Sequence, residues 1–249
     1  MTTLLSVQEI NVHHGQLHAV RDFSLDVNDG EKTAVIGANG AGKSTLMRAI
    51  AGTHRPTSGR IFLRGEDITD LHAGRRVEAG IALVPEGRRL FRSLSLEENL
   101  LTGTYRKRRG TWSLEAIFEL FPWMKERRAK PVARLSGGEQ QAVAIGRALL
   151  SNPDVLLIDE LSLGLAPSII ARIYGMIPRV VETGCSVLFV EQNVAQALSV
   201  ADRALCLLEG RTVLTGVASE LERSEVEDAY FGVAHGRGGR KERNSDADS

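Results

Sequence analysis

The residues best suited to chemistry form a glycine-rich stretch that begins at Gly37 and reads GANGAGKS. It matches the phosphate-binding pattern G-x-x-x-x-G-K-[S/T] at each defined position. Glycines let backbone N–H groups and a following helix N-terminus surround phosphate oxygens, while a lysine reaches the β- and γ-phosphates and a hydroxyl suits Mg²⁺. The stretch therefore predicts nucleotide binding by a continuous set of residues: Gly37, Ala38, Asn39, Gly40, Ala41, Gly42, Lys43, Ser44 and Thr45.

Two adjacent carboxylates, Asp159 and Glu160, follow the apolar run 155–158. A buried strand that ends in carboxylates places them at the carboxyl edge of the sheet, where α/β folds bind ligands. Asp159 is suited to hold Mg²⁺, directly or through water, and Glu160 to act as the general base toward an attacking water. The pair would otherwise simply mark the end of a strand. Together with the upstream glycine loop, it predicts a hydrolytic site.

A third pattern, LSGGEQ over residues 135–140, opens a predicted helix from about 136 to 150. Ser136 and Glu139 have the spacing of a capping box, which needs no ligand. However, Gly137 and Gly138 are costly in the first turn of a helix. They are explained if a polyphosphate must approach the helix N-terminus closely. Both interpretations, capping box and phosphate contact, remain open from these residues alone.

The elements that must position these groups follow an α/β pattern. Alternating apolar residues before the turn at Asp29 and Gly30 predict short antiparallel strands. The apolar run 33–36, the glycine loop and a helical pattern from Lys43 to Ala51 then make a strand, loop and helix unit. Further apolar strands at 155–158 and 186–190, with a helix predicted over 167–181, indicate a parallel sheet covered on both faces.

The bulk composition excludes several classes. The chain has 249 residues, equal numbers of basic and acidic residues (31 each) and two cysteines. Neutral net charge argues against a dedicated nucleic-acid binder, and two cysteines cannot form a disulfide framework. The N-terminus lacks a secretory signal pattern, and no apolar run is long enough to span a membrane. We therefore expect a cytosolic protein with reduced thiols.

The charge is unevenly distributed. Residues 60–134 contain 16 Lys and Arg but only 10 Asp and Glu. Basic clusters at 88–89, 106–109 and 127–128 suit either a nucleic-acid surface or, as we favour, a solvated helical face near a membrane complex. We predict an ATPase-like domain over 1–232 with a helical insert at about 66–150. The glycine-rich, charged residues 233–249 are predicted to be disordered.

The three motifs together resemble those of ATP-binding cassette (ABC) ATPases, over essentially residues 4–232. Further stretches resemble the second of the two ATP-binding subunits of branched-chain amino acid importers. They are VPEGRRLF (84–91), SLGLAP (162–167), VEQN (190–193) and DAYFG (228–232).

The resemblance implies an α/β P-loop ABC ATPase fold with a mostly parallel core sheet, an N-terminal antiparallel β subdomain and a helical signature subdomain. It also implies ATP and Mg²⁺ as ligands, and a homodimer or heterodimer of cassettes. In such a dimer Ser136, Gly137 and Gly138 contact the γ-phosphate held by the partner. The expected assembly adds two membrane permeases at the cytoplasmic face of the inner membrane and, indirectly, an extracytoplasmic solute-binding protein, with no nucleic acid.

Four positions depart from the general ABC pattern. Glu86 stands where a glutamine usually senses Mg²⁺ and the membrane subunit, so the resemblance implies that Glu86 contributes to Mg²⁺ binding and catalysis. Gln192 replaces the switch histidine and is expected to contribute to catalysis in its place. His14 aligns with an adenine-stacking aromatic residue, although an exposed loop histidine is an equal interpretation. Leu161 replaces a proline that restricts the backbone of the preceding residue, so we expect reduced rather than absent hydrolysis. Two other functions remain open, a soluble ABC ATPase and a weakly catalytic nucleotide sensor.

Overall fold

The computed structural model describes residues 2–106, 108–162 and 164–232. The tail predicted to be disordered, 233–249, lies outside these ranges. The strands within them are β1 (Thr3–His14), β2 (Leu17–Asn28), β3 (Lys32–Ile36), β4 (Ser58–Leu63), β5 (Glu66–Asp67), β6 (Ile81–Val84), β7 (Val155–Asp159), β8 (Ser186–Glu191), β9 (Arg203–Leu208) and β10 (Arg211–Val217). The α-helices are α1 (Lys43–Ile50), α2 (Ala73–Ala79), α3 (Leu96–Leu101), α4 (Leu114–Leu120), α5 (Trp123–Glu126), α6 (Gly137–Leu149), α7 (Pro167–Tyr174), α8 (Ile177–Glu182), α9 (Val194–Val200) and α10 (Arg223–Phe231).

The main sheet has six strands in the order β10-β9-β3-β8-β7-β6. All neighbouring pairs are parallel except β10 and β9, which are antiparallel. Every residue of β7 and of β8 is buried. Because helices cover both faces, these strands are apolar without alternation. The carboxyl ends of β3, β6, β7 and β8 therefore meet at one edge of the sheet.

A second, antiparallel sheet has the order β2-β1-β4-β5. Its first two strands contain 12 residues each, longer than the short strands predicted. In β2 the residues Phe23, Leu25 and Val27 are buried while their neighbours are not. They pack in one core with Leu46 and Met47 of α1. This sheet therefore holds one side of the helix that follows the glycine loop.

The fold corrects the predicted helix over 167–181, which is two helices, α7 and α8. Pro178 lies in the first turn of α8. Proline lacks the N–H that an interior helical position needs and its ring clashes with the carbonyl four residues before it, so the helix is interrupted before Pro178. The range 66–150, predicted as a helical insert, also contains the edge strand β6 of the main sheet.

The basic clusters form several ion pairs within the chain. Arg106 pairs with Glu78, and Arg108 pairs with Asp154. Similarly, Arg127 pairs with Glu139 at the start of α6, and Arg128 with Glu97 in α3. Much of the local positive charge is therefore offset by acidic side chains that the linear sequence separates from it. Across the described ranges, no helix is both long and apolar enough to cross a membrane.

The end of α1 is stabilised by a buried guanidinium. Arg76 is 1% exposed, and its Nη1 donates to the carbonyl oxygens of Ala49 and Ile50, both at 2.7 Å. Its Nε and Nη2 donate to the carbonyls of Leu71 and Thr69. The last carbonyls of a helix lack intrahelical partners and carry partial negative charge. Although burial lowers the pKa of Arg76 to about 10, it remains a cation near neutral pH.

We expect Arg76→Met to lower the free energy of unfolding by about 3 kcal/mol or more, because several buried carbonyls lose a charged donor. Urea denaturation of the purified chain measures this loss. Arg75→Met is the matched control, since Arg75 is exposed and pairs with Glu78 at 2.7 Å. It should cost no more than about 0.5 kcal/mol. Equal losses in the two variants would contradict the role assigned to Arg76.

Candidate functional site

The glycine loop connects the end of β3 to α1 and depends on backbone conformations that glycine allows. Gly40 and Gly42 have φ angles of 82° and 104°. A Cβ on Gly42 would also lie 2.3 Å from the carbonyl oxygen of Ala19 in β2. Gly42 is the N-cap of α1 and, because glycine has no side chain, it provides no capping hydrogen bond to the N–H groups of the first turn. Those N–H groups are therefore free of side-chain caps and suited to an anion.

Lys43 is the buried cation of the site. Its side chain is 3% exposed, and Nζ donates to the carbonyls of Gly37 and Ala38 at 2.8 and 2.9 Å. Nζ also lies 3.8 Å from Oε1 of Glu160. Burial lowers the pKa of Lys43, and carboxylates oppose that shift, namely those of Glu160, Asp159, Glu191 and Glu86. The lysine predicted to reach phosphates therefore satisfies its donors within its own loop.

Ser44 and Asp159 form a pair of oxygen donors. The hydroxyl of Ser44 donates to Oδ1 of Asp159 at 2.9 Å, at the carboxyl end of β7. Burial raises the pKa of Asp159; the hydrogen bond from Ser44 opposes this shift, and the charges of Glu86 and Glu160 add to it. A hydroxyl and a carboxylate are hard ligands of the type that Mg²⁺ prefers.

The donor set for such a cation is small. Among residues 2–106, 108–162 and 164–232, no three His, Cys, Asp or Glu side chains are grouped closely enough to hold a metal ion. Mg²⁺ sites that use one carboxylate draw their other ligands from water and substrate phosphates. Ser44 and Asp159 fit a Mg²⁺ ion that arrives with a polyphosphate.

Glu160 is held from the opposite side of the site by Gln192, whose Nε2 donates to Oε1 of Glu160 at 2.9 Å. The backbone of Glu160 has a φ of 52°, in the left-handed region. A proline after it would disfavour this conformation, whereas the Leu161 found here permits it and is itself buried. Glu160 is thus fixed by neighbouring side chains in a backbone conformation that is sparsely populated.

One open cavity with a volume of about 450 Å³ lies at this site. It is lined by the glycine loop, by the carboxylates of Glu86 and Glu160, and by residues on both sides of the turn between β1 and β2. The residues that line it are His14, Leu17, Ala19, Asn39, Gly40, Gly42, Lys43, Ser44, Thr45, Glu86 and Glu160. Four separated segments of the sequence therefore converge at the carboxyl edge of the main sheet.

His14 lies at this cavity in an exposed position. Its Nε2 is 3.1 Å from Oγ1 of Thr45, and its ring lies 4.4 Å from the ring of His54 at a tilt of 56°. The ring therefore has one face toward another imidazole and one nitrogen toward the loop. Both interpretations from the sequence, adenine contact and surface histidine, are compatible with this placement.

The LSGGEQ residues lie elsewhere on the chain, at the N-terminus of α6, and none of them lines this cavity in the described ranges. Ser136 and Glu139 form the expected capping box. Gly138 packs so closely on α7 that a Cβ there would lie 2.3 Å from Cγ2 of Ile169. A Cβ on Gly137 would meet only the end of the Arg88 side chain, at 3.2 Å. The close packing of α6 on α7 thus explains why residue 138 is glycine, and the sequence did not suggest this explanation.

Sequence reasoning missed several residues of the site. Leu17 and Ala19 line the cavity, but nothing in their local pattern marks them. Glu191 lies within VEQN and Ser162 within SLGLAP, stretches used above only for a resemblance. Both belong to a buried hydrogen-bond cluster directly behind Glu160 and Gln192. The buried strand that ends at Glu191 was the available signal.

Comparison with known proteins agrees with this geometry. The family described as ABC transporter matches residues 20–162. The high-affinity branched-chain amino acid transport ATP-binding protein BraG of Pseudomonas aeruginosa is 44% identical over 233 residues, covering 92% of this chain and 100% of BraG. The probable branched-chain amino acid transport ATP-binding protein LivF of Archaeoglobus fulgidus is 34% identical, covering 92% of this chain and 99% of its own.

Solved structures show the same fold. An ATP-binding subunit of an ABC transporter superposes with a TM-score of 0.77 at 29% identity, covering 92% of this chain and 99% of the other. The ADP conformation of the cassette MJ1267 gives a TM-score of 0.76 at 26% identity, covering 92% and 94%. The predicted α/β cassette fold, with its mostly parallel and antiparallel sheets, is confirmed.

Two explanations of the glycine at position 138, close helix packing and close approach of a phosphate, can be separated by measuring stability. We expect Gly138→Ala to lower the free energy of unfolding by about 1–3 kcal/mol, because the new methyl group overpacks the contact with Ile169. Gly137→Ala, the control, should cost no more than about 0.5 kcal/mol. Urea denaturation, with Ile169→Ala completing a double-mutant cycle, measures the coupling. Equal stability of the two glycine variants would leave only the phosphate explanation.

Proposed function

This chain belongs to the ABC transporter family of ATPases, and from that premise we propose that it powers an importer for branched-chain or related amino acids. The ATPase part rests on one observation: Lys43, Ser44, Asp159, Glu160 and Gln192 converge at the carboxyl edge of the sheet. The solute is supported by the likeness to BraG along that protein's whole length.

The geometry suggests how each side chain acts. When ATP enters, Nζ of Lys43 exchanges the carbonyls of Gly37 and Ala38 for phosphate oxygens, which restores a full charge partner to a buried ammonium. Ser44 and Asp159 would hold Mg²⁺, which would neutralise phosphate charge there. Glu160 then orients and deprotonates the attacking water, as a general base within hydrogen-bond reach must.

Gln192 and His14 take secondary roles in this proposal. Gln192 can donate a hydrogen bond to the γ-phosphate but cannot carry a proton charge as histidine does. His14 offers a smaller stacking surface for adenine than a tyrosine. These two differences predict slower hydrolysis than in a cassette with the general pattern.

A second cassette completes the proposed site. Ser136, Gly137 and Gly138 do not line the cavity that holds Lys43, so a phosphate bound there has no contact with them in one chain. A head-to-tail pair, made of two copies or of this chain and a related one, brings the N-terminus of α6 of one cassette to the cavity of the other. Closure then becomes a condition for hydrolysis.

The surface near Glu86 is the proposed contact with two membrane permeases, at the cytoplasmic face of the inner membrane. Phe91, Leu101 and Tyr105 expose 52, 44 and 76% of their surfaces, and a permease contact would cover these apolar side chains. Asn99 ties Phe91 to α3, accepting from its N–H at 2.8 Å and donating to its carbonyl at 3.0 Å.

This surface is connected to α6, the helix that begins within the LSGGEQ residues. Arg147 of α6 donates to the carbonyls of Arg88 and Arg89, at 3.0 and 2.8 Å, in the loop that follows Glu86. Movement of a docked permease would therefore reach both Glu86 at the cavity and α6. An extracytoplasmic solute-binding protein would deliver the amino acid to the permeases and contact this chain only indirectly. The full-length likeness to transporter subunits favours this assembly over a soluble ATPase or a sensor.

Glu160→Gln tests the chemical role. The amide keeps the hydrogen-bonding shape but cannot accept the proton of water. We expect ATP affinity within about twofold of the parent and a kcat lower by 10²-fold or more, within the usual range for loss of a general base. Phosphate release and equilibrium ATP binding measure the two quantities. Turnover that survives in Glu160→Gln removes Glu160 from the base role.

The transport function is tested by reconstitution. The chain is co-expressed with two permease subunits of a branched-chain amino acid importer, and uptake of labelled leucine, isoleucine and valine is followed in vesicles with the solute-binding protein supplied. We expect ATP-dependent uptake with the parent chain and none with Glu160→Gln assembled at the same level. ATP hydrolysis without leucine, isoleucine or valine uptake would retain the ATPase and reject the solute.

A further inference from the structure

A buried carboxylate that has no role in the scheme above lies directly behind the site. Glu191 ends β8, is 1% exposed and does not line the nucleotide cavity. Its Oε1 accepts from the hydroxyl of Tyr174 at 2.6 Å. Its Oε2 accepts from the hydroxyl of Ser162 at 2.8 Å and from the backbone N–H of Gln192 at 3.3 Å. A buried carboxylate is tolerated only when its oxygens are satisfied in this way.

The donors come from both sides of the proposed chemistry. Ser162 is two residues after Glu160, and Gln192 directly follows Glu191 in the chain. Gln192 also donates to Glu160, so the four residues form a closed ring. Two of its links are hydrogen bonds, from Gln192 to Glu160 and from Ser162 to Glu191. The other two links run along the chain, from Glu191 to Gln192 and from Glu160 to Ser162.

Tyr174 fixes this ring to α7. Its hydroxyl stays protonated because burial, and after it the charge of Glu191, raise its pKa far above the ordinary value. It therefore donates to Glu191 throughout the working pH range. The tyrosine ring meets Phe189 of β8 edge to face, with the ring centres 6.1 Å apart. α7 and β8 are thus joined by an apolar contact and by a short hydrogen bond at the same place.

We propose that Glu191 is a positioning residue for ATP hydrolysis: with Tyr174 and Ser162 it holds Glu160 and Gln192 at the separation that hydrolysis requires. The inference rests on the proposed ATPase function. Glu191 touches neither nucleotide nor water in this scheme and acts through the two residues it connects. Loss of its donors therefore affects the chemical step while leaving nucleotide binding by Lys43 and the glycine loop intact.

The test removes single hydroxyl groups. Tyr174→Phe and Ser162→Ala each delete one donor to Glu191 with little change in volume. We expect each variant to lower kcat about tenfold, which corresponds to about 1.4 kcal/mol, with KM and Kd for ATP within about twofold of the parent. Glu191→Gln, which keeps oxygen and shape, should retain more activity than Glu191→Leu. If Glu191 served only packing, these variants would lower stability without a selective loss of kcat at unchanged KM.

Ser186→Ala is the matched control. Ser186 begins the same strand, is buried, and bonds through its hydroxyl to the N–H of Gly30 and the carbonyl of Asn28, far from the site. It should lower stability without lowering kcat per folded molecule. Parental kcat in the Tyr174→Phe, Ser162→Ala double variant, or an equal loss in Ser186→Ala, overturns the proposal.

A measurement without turnover separates failure of this inference from failure of the ATPase assignment. The backbone N–H of Gln192 donates to Glu191. Its hydrogen exchange should be faster in the double variant and should stay at the parental rate in Ser186→Ala. Unchanged exchange overturns the positioning role even if the parent chain hydrolyses ATP. A parent chain that hydrolyses no ATP rejects the proposed function and, with it, the catalytic consequence of the ring.

Discussion

The buried ammonium of Lys43 imposes the constraint on which the rest of the site depends. A buried cation is stable only with several acceptors or opposite charges nearby. Here two loop carbonyls and the nearby carboxylates of Glu160, Asp159, Glu191 and Glu86 provide them. Those carboxylates come from the ends of β7 and β8 and from the loop after β6, which is why four strands must end at the same edge. The charge of one side chain thus links the glycine loop to the whole parallel sheet.

The same balance produces a closed network of hydrogen bonds among the side chains of the site. Ser44 donates to Asp159, Gln192 donates to Glu160, and Lys43 donates to its own loop. Each of these groups is one that the proposed mechanism assigns to phosphate, Mg²⁺ or water. In the proposed mechanism, ATP binding therefore exchanges partners within the protein for ligand atoms. This arrangement avoids the free-energy cost of buried polar groups that have no hydrogen-bond partner. Glu191 remains satisfied within the protein throughout, and this suits a residue that positions others.

The sequence predicted those parts of the site that depend on local patterns. Gly37 to Ser44 and the carboxylates after the run 155–158 could be assigned because a phosphate loop and a strand end each have a local signature. Contacts between distant segments had no such signature. Gly138 packs on Ile169, Arg76 binds the end of α1, and Tyr174 reaches Glu191, each across 17 to 31 residues. The chemistry of proline could have predicted the interruption before Pro178. The long apolar pattern of residues 167–181 favoured one continuous helix instead.

The loop that follows Glu86 connects the nucleotide cavity with α6. Arg88 and Arg89 both have left-handed backbones, with φ angles of 65° and 46°. Consecutive residues in that region are costly and persist only when their surroundings hold them. The guanidinium of Arg147 supplies that hold from α6, by donating to both carbonyls. A displacement of the exposed surface around Phe91 therefore cannot leave α6 unaffected without breaking charge-assisted hydrogen bonds. The same loop begins at Glu86, which lines the cavity and whose charge adds to the raised pKa of Asp159. One segment therefore connects α6 with the carboxylates of the site.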